Sequence, residues 1–187
     1  MEITILILSY LIGSLPTGYF LVKFSLKEDI RESGSGMVGA TNVERLLGKK
    51  GFYITFFIDF IKAILLVFLI GYYFDNTSQF LAIFGITLGH IYPLFLKFKG
   101  GKGIAVATGG LLGYSLIFTL ILIGSFLLIN LKIKKFTISG LFALIIAPLL
   151  FYVIYQEWQV LMFMMILDIL ILFAHRENIR NYFNERK

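Results

Sequence analysis

The sequence predicts an all-α integral membrane protein, a single transmembrane domain over residues 1–187 whose helical segments include short or broken ones. Three observations carry that prediction. Hydrophobic residues make up 58% of the chain and charged ones only 15%, which is far too apolar for an ordinary soluble domain. The apolar residues gather in runs of about 20, the length a helix needs to cross the hydrocarbon core, so 187 residues leave room for six or seven crossings and no separate soluble domain. The basic residues lie in short loops between those runs, an orientation signal rather than the basic face with interleaved aromatics that nucleic acid requires. Cysteine is absent, which excludes disulfides, thiolate metal sites and a thiol nucleophile together.

Ile3 to Phe24 forms the first span. Met1-Glu2 lacks the basic start of a secretory signal and no small-residue cleavage pattern follows, so the span is read as retained. Gly13, Pro16 and Gly18 within it predict a kink or a broken end. A polar passage runs on to about Gly51. Phe52 to Phe74 is the second span, with Asp59 and Lys62 three residues apart on one helical face. That spacing reads as a structural ion pair turned toward the protein interior rather than as direct chemistry. Asp75 to Ser78 is a turn without a basic residue, and Gln79 to Leu96 is the third span, with His90 read as structural near its end.

Ile104 to Ile133 is either one over-long tilted span or two short ones parted near Gly109-Gly110 and Gly113-Tyr114-Ser115. Loop charge favours the hairpin. Two short segments keep Lys23 to Lys50, Lys97 to Lys102, Lys132 to Lys135 and Arg176 to Lys187 on one side, leaving Asp75 to Ser78 and Gln156-Glu157 as outer turns. Phe136 to Tyr155, with Pro148 as a bend point, and Trp158 to Ala174 complete seven transmembrane segments, amino terminus outside and carboxyl terminus cytoplasmic. Asp168 is assigned no catalytic role; it is placed to orient the tail or pair with Lys62.

The stretch with the densest chemistry is Glu28 to Arg45. Gly34, Gly36 and Gly39 allow the backbone to turn through positive φ and approach a ligand, and Ser33, Ser35, Thr41, Asn42 and Arg45 add hydroxyl, amide and guanidinium donors. Such a set suits an anion better than a flexible linker. Gly100-Gly101-Lys102-Gly103 delivers a lysine on a glycine turn, which points to phosphate, although the nucleotide loop G-x-x-x-x-G-K-[ST] is absent. The charge argument brings these stretches and His175 to Asn178 to one membrane face, where phosphate donors sit beside an apolar slot between helices.

These stretches resemble the bacterial family of acyl-phosphate:glycerol-3-phosphate acyltransferases. The family pattern S-G-S-G-N-x-G-A-T-N-x-x-R is read here from Ser33 to Arg45, G-H-x-x-P-x-F-x-x-F-K-G-G-K-G from Gly89 to Gly103, and H-R-x-N-I from His175 to Ile179. Met37 stands where the family has asparagine, Asn181 where it has arginine, Glu185 is off the usual spacing, and the serine-rich start of the sixth segment is blurred to Thr137-Ile138-Ser139-Gly140.

The resemblance implies acyl transfer from acyl phosphate to glycerol 3-phosphate, the first acylation of bacterial phospholipid synthesis, yielding lysophosphatidic acid and inorganic phosphate. It implies no cofactor, no metal, no acyl-enzyme and no protein partner. The implied setting is the bacterial cytoplasmic (inner) membrane among membrane lipids, with the site facing the cytoplasm. Catalytic roles fall to Ser35, Asn42, Lys102 and His175, and substrate binding to Ser33, Gly34, Gly36, Gly39, Thr41, Arg45, Gly100, Gly101, Ser139 and Asn178. Within these, the glycine loop takes the acyl-phosphate head, Asn42 donates to the oxyanion, and Arg45 and Lys102 clamp the acceptor phosphate. A donor phosphate oxygen is preferred to His175 as the base. The His-x-x-x-x-Asp pattern of thioester-dependent acyltransferases is missing, since Phe95 and Arg180 follow the two histidines at that spacing. Ligand spacing for a metal is missing as well. The competing reading is a transporter of phosphate or glycerol phosphate; against it, no half repeats and the donors lie at one face rather than near the midplane.

Overall fold

The computed structural model describes residues 1–184, and the described residues are helical with no strand. Glu185, and Arg186 and Lys187 of the basic tail, lie outside them. The chain divides into two compact units, the first Met1–Tyr114 and the second from Ser115 onward.

In the first unit α1 (Glu2–Gly13) and α2 (Thr17–Leu26) are parted at Ser14 to Pro16, as Pro16 predicts. A short 3₁₀ turn (Ile30–Glu32) precedes α3 (Ala40–Tyr73), then come α4 (Asn76–Ile91), a second 3₁₀ turn (Leu94–Leu96) and α5 (Ile104–Tyr114). Helix α3 begins at Ala40, well before the apolar run, so Thr41 to Arg45 belong to a helix and not to a loop. It is interrupted at Gly48, whose φ of 69° and ψ of −171° are open to glycine alone.

Breaking a helix in a membrane exposes backbone carbonyls, and side chains of neighbouring helices cover them. Lys62 Nζ donates to the Leu15 carbonyl at 3.0 Å and pairs with Asp59 Oδ1 at 2.7 Å. Thr17 Oγ1 donates to the same carboxylate oxygen at 2.8 Å. At the end of α4 the Tyr10 hydroxyl donates to the Tyr92 carbonyl at 2.8 Å. The expected ion pair therefore exists, and its work is to close the break between α1 and α2.

Close helix crossings hold this unit. A Cβ at Gly85 or Gly89 would strike the Leu6 or Tyr10 carbonyl of α1, and one at Gly109 or Gly113 would strike the Phe60 or Ile64 carbonyl of α3. Both pairs are four residues apart, the small-x-x-x-small pattern that lets helix backbones touch where no hydrophobic force drives association. The glycines at 109, 110 and 113 are thus packing surfaces inside α5, and the chain breaks after them, at Ser115.

The second unit contains α6 (Leu116–Ile133), α7 (Phe136–Tyr155), α8 (Trp158–Ala174) and α9 (Arg176–Asn184). Ser115 Oγ accepts the Phe118 N–H at 3.2 Å to cap α6, and lies 2.6 Å from the Tyr155 hydroxyl at the far end of α7. Lys134 and Gln156, both left-handed, end α6 and α7. Pro148 sits within an unbroken α7, and α8 meets α9 at 61°. Among the described residues five spans are long and apolar enough to cross a membrane, and six if the bent α8–α9 pair counts as one. At 11 residues α5 reaches about 16 Å, roughly half the hydrocarbon core.

Candidate active site

The glycine loop is organised by one amide. Asn42 is 2% exposed, and its Oδ1 accepts the Ser35 N–H at 3.0 Å. Its Nδ2 donates to the carbonyls of Met37 at 2.9 Å and Ser33 at 3.0 Å, with that of Ile30 at 3.4 Å. Both amide hydrogens are therefore directed into the loop. The backbone wraps this closely because Gly34 and Gly36 take φ of 59° and 69°, and a Cβ at Gly34 would run into Asn42 Oδ1.

Gly39 ends the loop as the N-cap of α3, with no side chain bonding the helix amides. A helix N-terminus left open in this way favours an anion. Ser35 and Thr41 are exposed at the loop and first turn, Ser33, Gly36 and Gly39 are half-buried, and Gly34 is exposed. Arg45, exposed one helical turn beyond Thr41, places Nη1 3.4 Å from Asn42 Oδ1.

The lysine turn joins this loop directly. Val38 N–H donates to the Gly100 carbonyl at 3.3 Å, and a Cβ at Gly39 would lie 3.9 Å from Gly101 Cα. Beneath them, Leu96 packs with Val22, Ile30, Val38 and Val43 in a buried apolar cluster. The second loop is pinned back to α4, as Gly101 N–H donates to the His90 carbonyl at 3.0 Å and Gly100 N–H to that of Ile91 at 3.2 Å. Lys102 is half-buried just beyond. The first two glycine-rich stretches, separate in sequence, are one construction in the first unit.

Arg31 was not singled out in the sequence, and it ties the two loops. Its Nη2 pairs with Asp29 Oδ2 at 2.6 Å, its Nη1 donates to the Leu96 carbonyl at 3.3 Å, and its guanidinium lies 5.5 Å from the Tyr19 ring centre. Hydrogen bonding to Arg31 holds the Asp29 carboxyl below its ordinary range. The Asp-x-Arg spacing at the start of a polar passage is the local signal that could have marked it.

The third stretch lies in the second unit. His175 is 2% exposed at the end of α8, and its Nδ1 is 2.9 Å from the Ile171 carbonyl. A carbonyl only accepts, so Nδ1 carries the proton, and in the neutral ring Nε2 is an acceptor. Ser139, fully buried in the first turn of α7, has Oγ 3.0 Å from both the Asn130 amide oxygen and the Lys135 carbonyl. Asn178 borders a cavity of about 290 Å³ with Lys135, Thr137, Asn181 and Tyr182, at the amino end of α7. Asp168, buried in α8, has an oxygen without a hydrogen-bond partner, while Lys62 is engaged by Asp59.

This fold is that of an integral membrane acyltransferase. The chain aligns over its full length with the crystal structure of PlsY (YgiH), an integral membrane glycerol 3-phosphate acyltransferase, in its glycerol 3-phosphate form, at a TM-score of 0.88 and 34% identity, covering 94% of that chain. Its lysophosphatidic acid form aligns at 0.85, covering 93% of that chain. The chain belongs to the glycerol-3-phosphate acyltransferase family, which it matches over residues 3–185. Relatives include glycerol-3-phosphate acyltransferase 1 of Desulfitobacterium hafniense, 40% identical over 95% of this chain and 88% of its own, and the Pelagibacter ubique enzyme, 36% identical over 96% and 92%.

Proposed function

We propose that this enzyme uses acyl phosphate as donor and transfers its fatty acyl group to a hydroxyl of glycerol 3-phosphate, releasing inorganic phosphate and forming lysophosphatidic acid. The observation that carries this reading is the joining of the glycine loop to the lysine turn, which sets Arg45, Lys102 and an open helix N-terminus in one unit. The donor is already a mixed anhydride, so no protein nucleophile is required. The hydroxyl oxygen forms the new bond to the carbonyl carbon, the bond from that carbon to the phosphate oxygen breaks, and the hydroxyl proton leaves on phosphate. The enzyme holds two anions together and stabilises the carbonyl oxygen as charge develops.

Ser33, Gly34, Ser35, Gly36, Gly39 and Thr41 bind the acyl-phosphate head in this scheme, with Ser35 as a donor toward the reacting group. Arg45 and Lys102, carried on the turn of Gly100 and Gly101, clamp the glycerol 3-phosphate within the first unit; for His175, Ser139 and Asn178 the family resemblance alone supports a part in substrate binding. Asn42 acts by positioning, because its amide hydrogens already serve loop carbonyls. The basic loops support seven segments with α5 the short arm, amino terminus outside, and a cytoplasmic site in the bacterial inner membrane.

The test is release of phosphate and formation of lysophosphatidic acid by purified protein given acyl phosphate and glycerol 3-phosphate. Arg45→Ala and Lys102→Ala each abolish turnover, and full activity in both would defeat the assignment. Equal turnover with acyl coenzyme A would defeat the choice of donor. Because the chain lacks cysteine, single cysteines at Lys49, Asn76 and Gln156 report orientation by labelling in intact cells: only the last two react if the cytoplasmic reading holds.

A further inference from the structure

His90 lies between the buried ion pair and the lysine turn. Its side chain comes from the last turn of α4 and is 5% exposed. On one side Nδ1 faces Asp59 Oδ2 at 3.8 Å, the carboxylate whose other oxygen takes Lys62 and Thr17. On the other side the ring covers Gly101: the three nearest atoms to a Cβ built there are His90 Nε2, Cδ2 and Cε1. Gly101 Cα also lies 3.9 Å from a Cβ built on Gly39, and the Gly101 N–H bonds the His90 carbonyl at 3.0 Å. Gly101 thus packs against the imidazole and close to the glycine loop. Its φ lies outside the left-handed region, so the ring in front of it, and not backbone conformation, is what demands glycine.

We propose that His90 is a positioning residue for the acceptor: packed against Gly101, its ring sets the height of the Gly100–Lys102 turn against the Gly39 loop and thereby the affinity for the phosphate of glycerol 3-phosphate. This rests on the reading of Lys102 as a phosphate ligand. The ring touches the backbone next to that lysine. Loss of the ring lets the turn sink toward α4 and weakens acceptor binding more than turnover. A methyl at Gly101 pushes the turn the other way and weakens it too.

The experiment is steady-state kinetics on full-length protein in detergent or nanodiscs, varying glycerol 3-phosphate and acyl phosphate separately, for His90→Ala, Gly101→Ala and the double variant, with equilibrium binding of glycerol 3-phosphate measured for Lys102→Ala. His90→Ala and Gly101→Ala are each expected to raise KM for glycerol 3-phosphate about tenfold, with KM for acyl phosphate within about twofold, and the double variant to be no worse than His90→Ala, because the methyl then has room. An unchanged acceptor KM in His90→Ala, equal effects on both substrates, or fully additive losses in the double variant would overturn the proposal. Lys102→Ala separates the two ideas: if it binds glycerol 3-phosphate as tightly as the parent chain, the reading of Lys102 fails, whereas weakened binding there with no raised KM in the His90 variants condemns the His90 role alone. Should His90→Ala not assemble, His90→Asn, which keeps a polar atom toward Asp59 but withdraws the ring from Gly101, carries the same expectation.

Discussion

Asn42 accepts the backbone N–H of Ser35 at 3.0 Å across seven residues, and that bond closes the glycine loop around a buried amide. The loop is held in shape by its own hydrogen bonds, which lowers the ordering entropy that binding an anion would otherwise cost. Asn42→Ala is expected to lower stability by about 2–4 kcal/mol, since several bonds of about 1 kcal/mol each are lost and buried carbonyls are left unmet. Thermal unfolding in detergent measures it, and turnover should fall with loop order. Asn42→Asp should be at least as damaging, because a carboxylate offers no hydrogens to Ser33 and Met37.

The Asp59–Lys62 pair gives a different signature. Removing one partner leaves a charge in the membrane interior, so Asp59→Ala or Lys62→Ala alone should cost about 3–5 kcal/mol. Replacing both, as Asp59→Leu with Lys62→Met, should cost less than either alone. A double variant as unstable as the sum of the singles would show that capping the Leu15 carbonyl and holding Thr17, not charge compensation, is the main contribution.

Helix crossing by small residues is tested at Gly89. Gly89→Leu drives a side chain into the Tyr10 carbonyl of α1 and should destabilise by about 1–3 kcal/mol or more. A Cβ at Gly124 in α6 meets nothing within 4 Å, so Gly124→Ala serves as the control, with an unfolding temperature near that of the parent chain.

The Arg31–Asp29 pair predicts a pH response. The folded carboxyl titrates below its ordinary value of 3.8, so the stability it contributes is complete above that value and is lost as pH falls through the lower, folded one. Between about pH 5 and 8 the pair should contribute no slope, and its worth is below about 1 kcal/mol because it is partly solvated. In Arg31→Gln the acid limb of the unfolding temperature should move up toward the ordinary carboxyl value. An unchanged acid limb would show that the pair does not bind differently in the folded and unfolded chains.

Much of this protein is legible along the chain. Membrane residence follows from runs such as Ile3 to Phe24, and the break at Pro16 from a missing N–H and a fixed φ; both are local properties of consecutive residues. The glycine spacing at 34, 36 and 39 announces a tight turn, and a lysine after Gly100-Gly101 announces an anion contact. What the chain order conceals is which polar group faces where. Asn42 reads as a ligand donor, yet its hydrogens turn inward to carbonyls that only the folded loop presents. Gly109 and Gly113 read as the place where two short segments part, yet they are the face on which α3 lies, because a missing side chain is equally a sign of a break and of close approach. Arg31 to Leu96 and His90 to Gly101 are contacts made by the tertiary structure. The first joins residues 65 apart, and no periodicity records such a pairing. Sequence alone determined that this is a membrane protein with two glycine-rich, donor-bearing loops. The packing of α4 against α1, and of the loops upon the Leu96 cluster, decided how those loops meet, since that depends on which surfaces exclude lipid and water together.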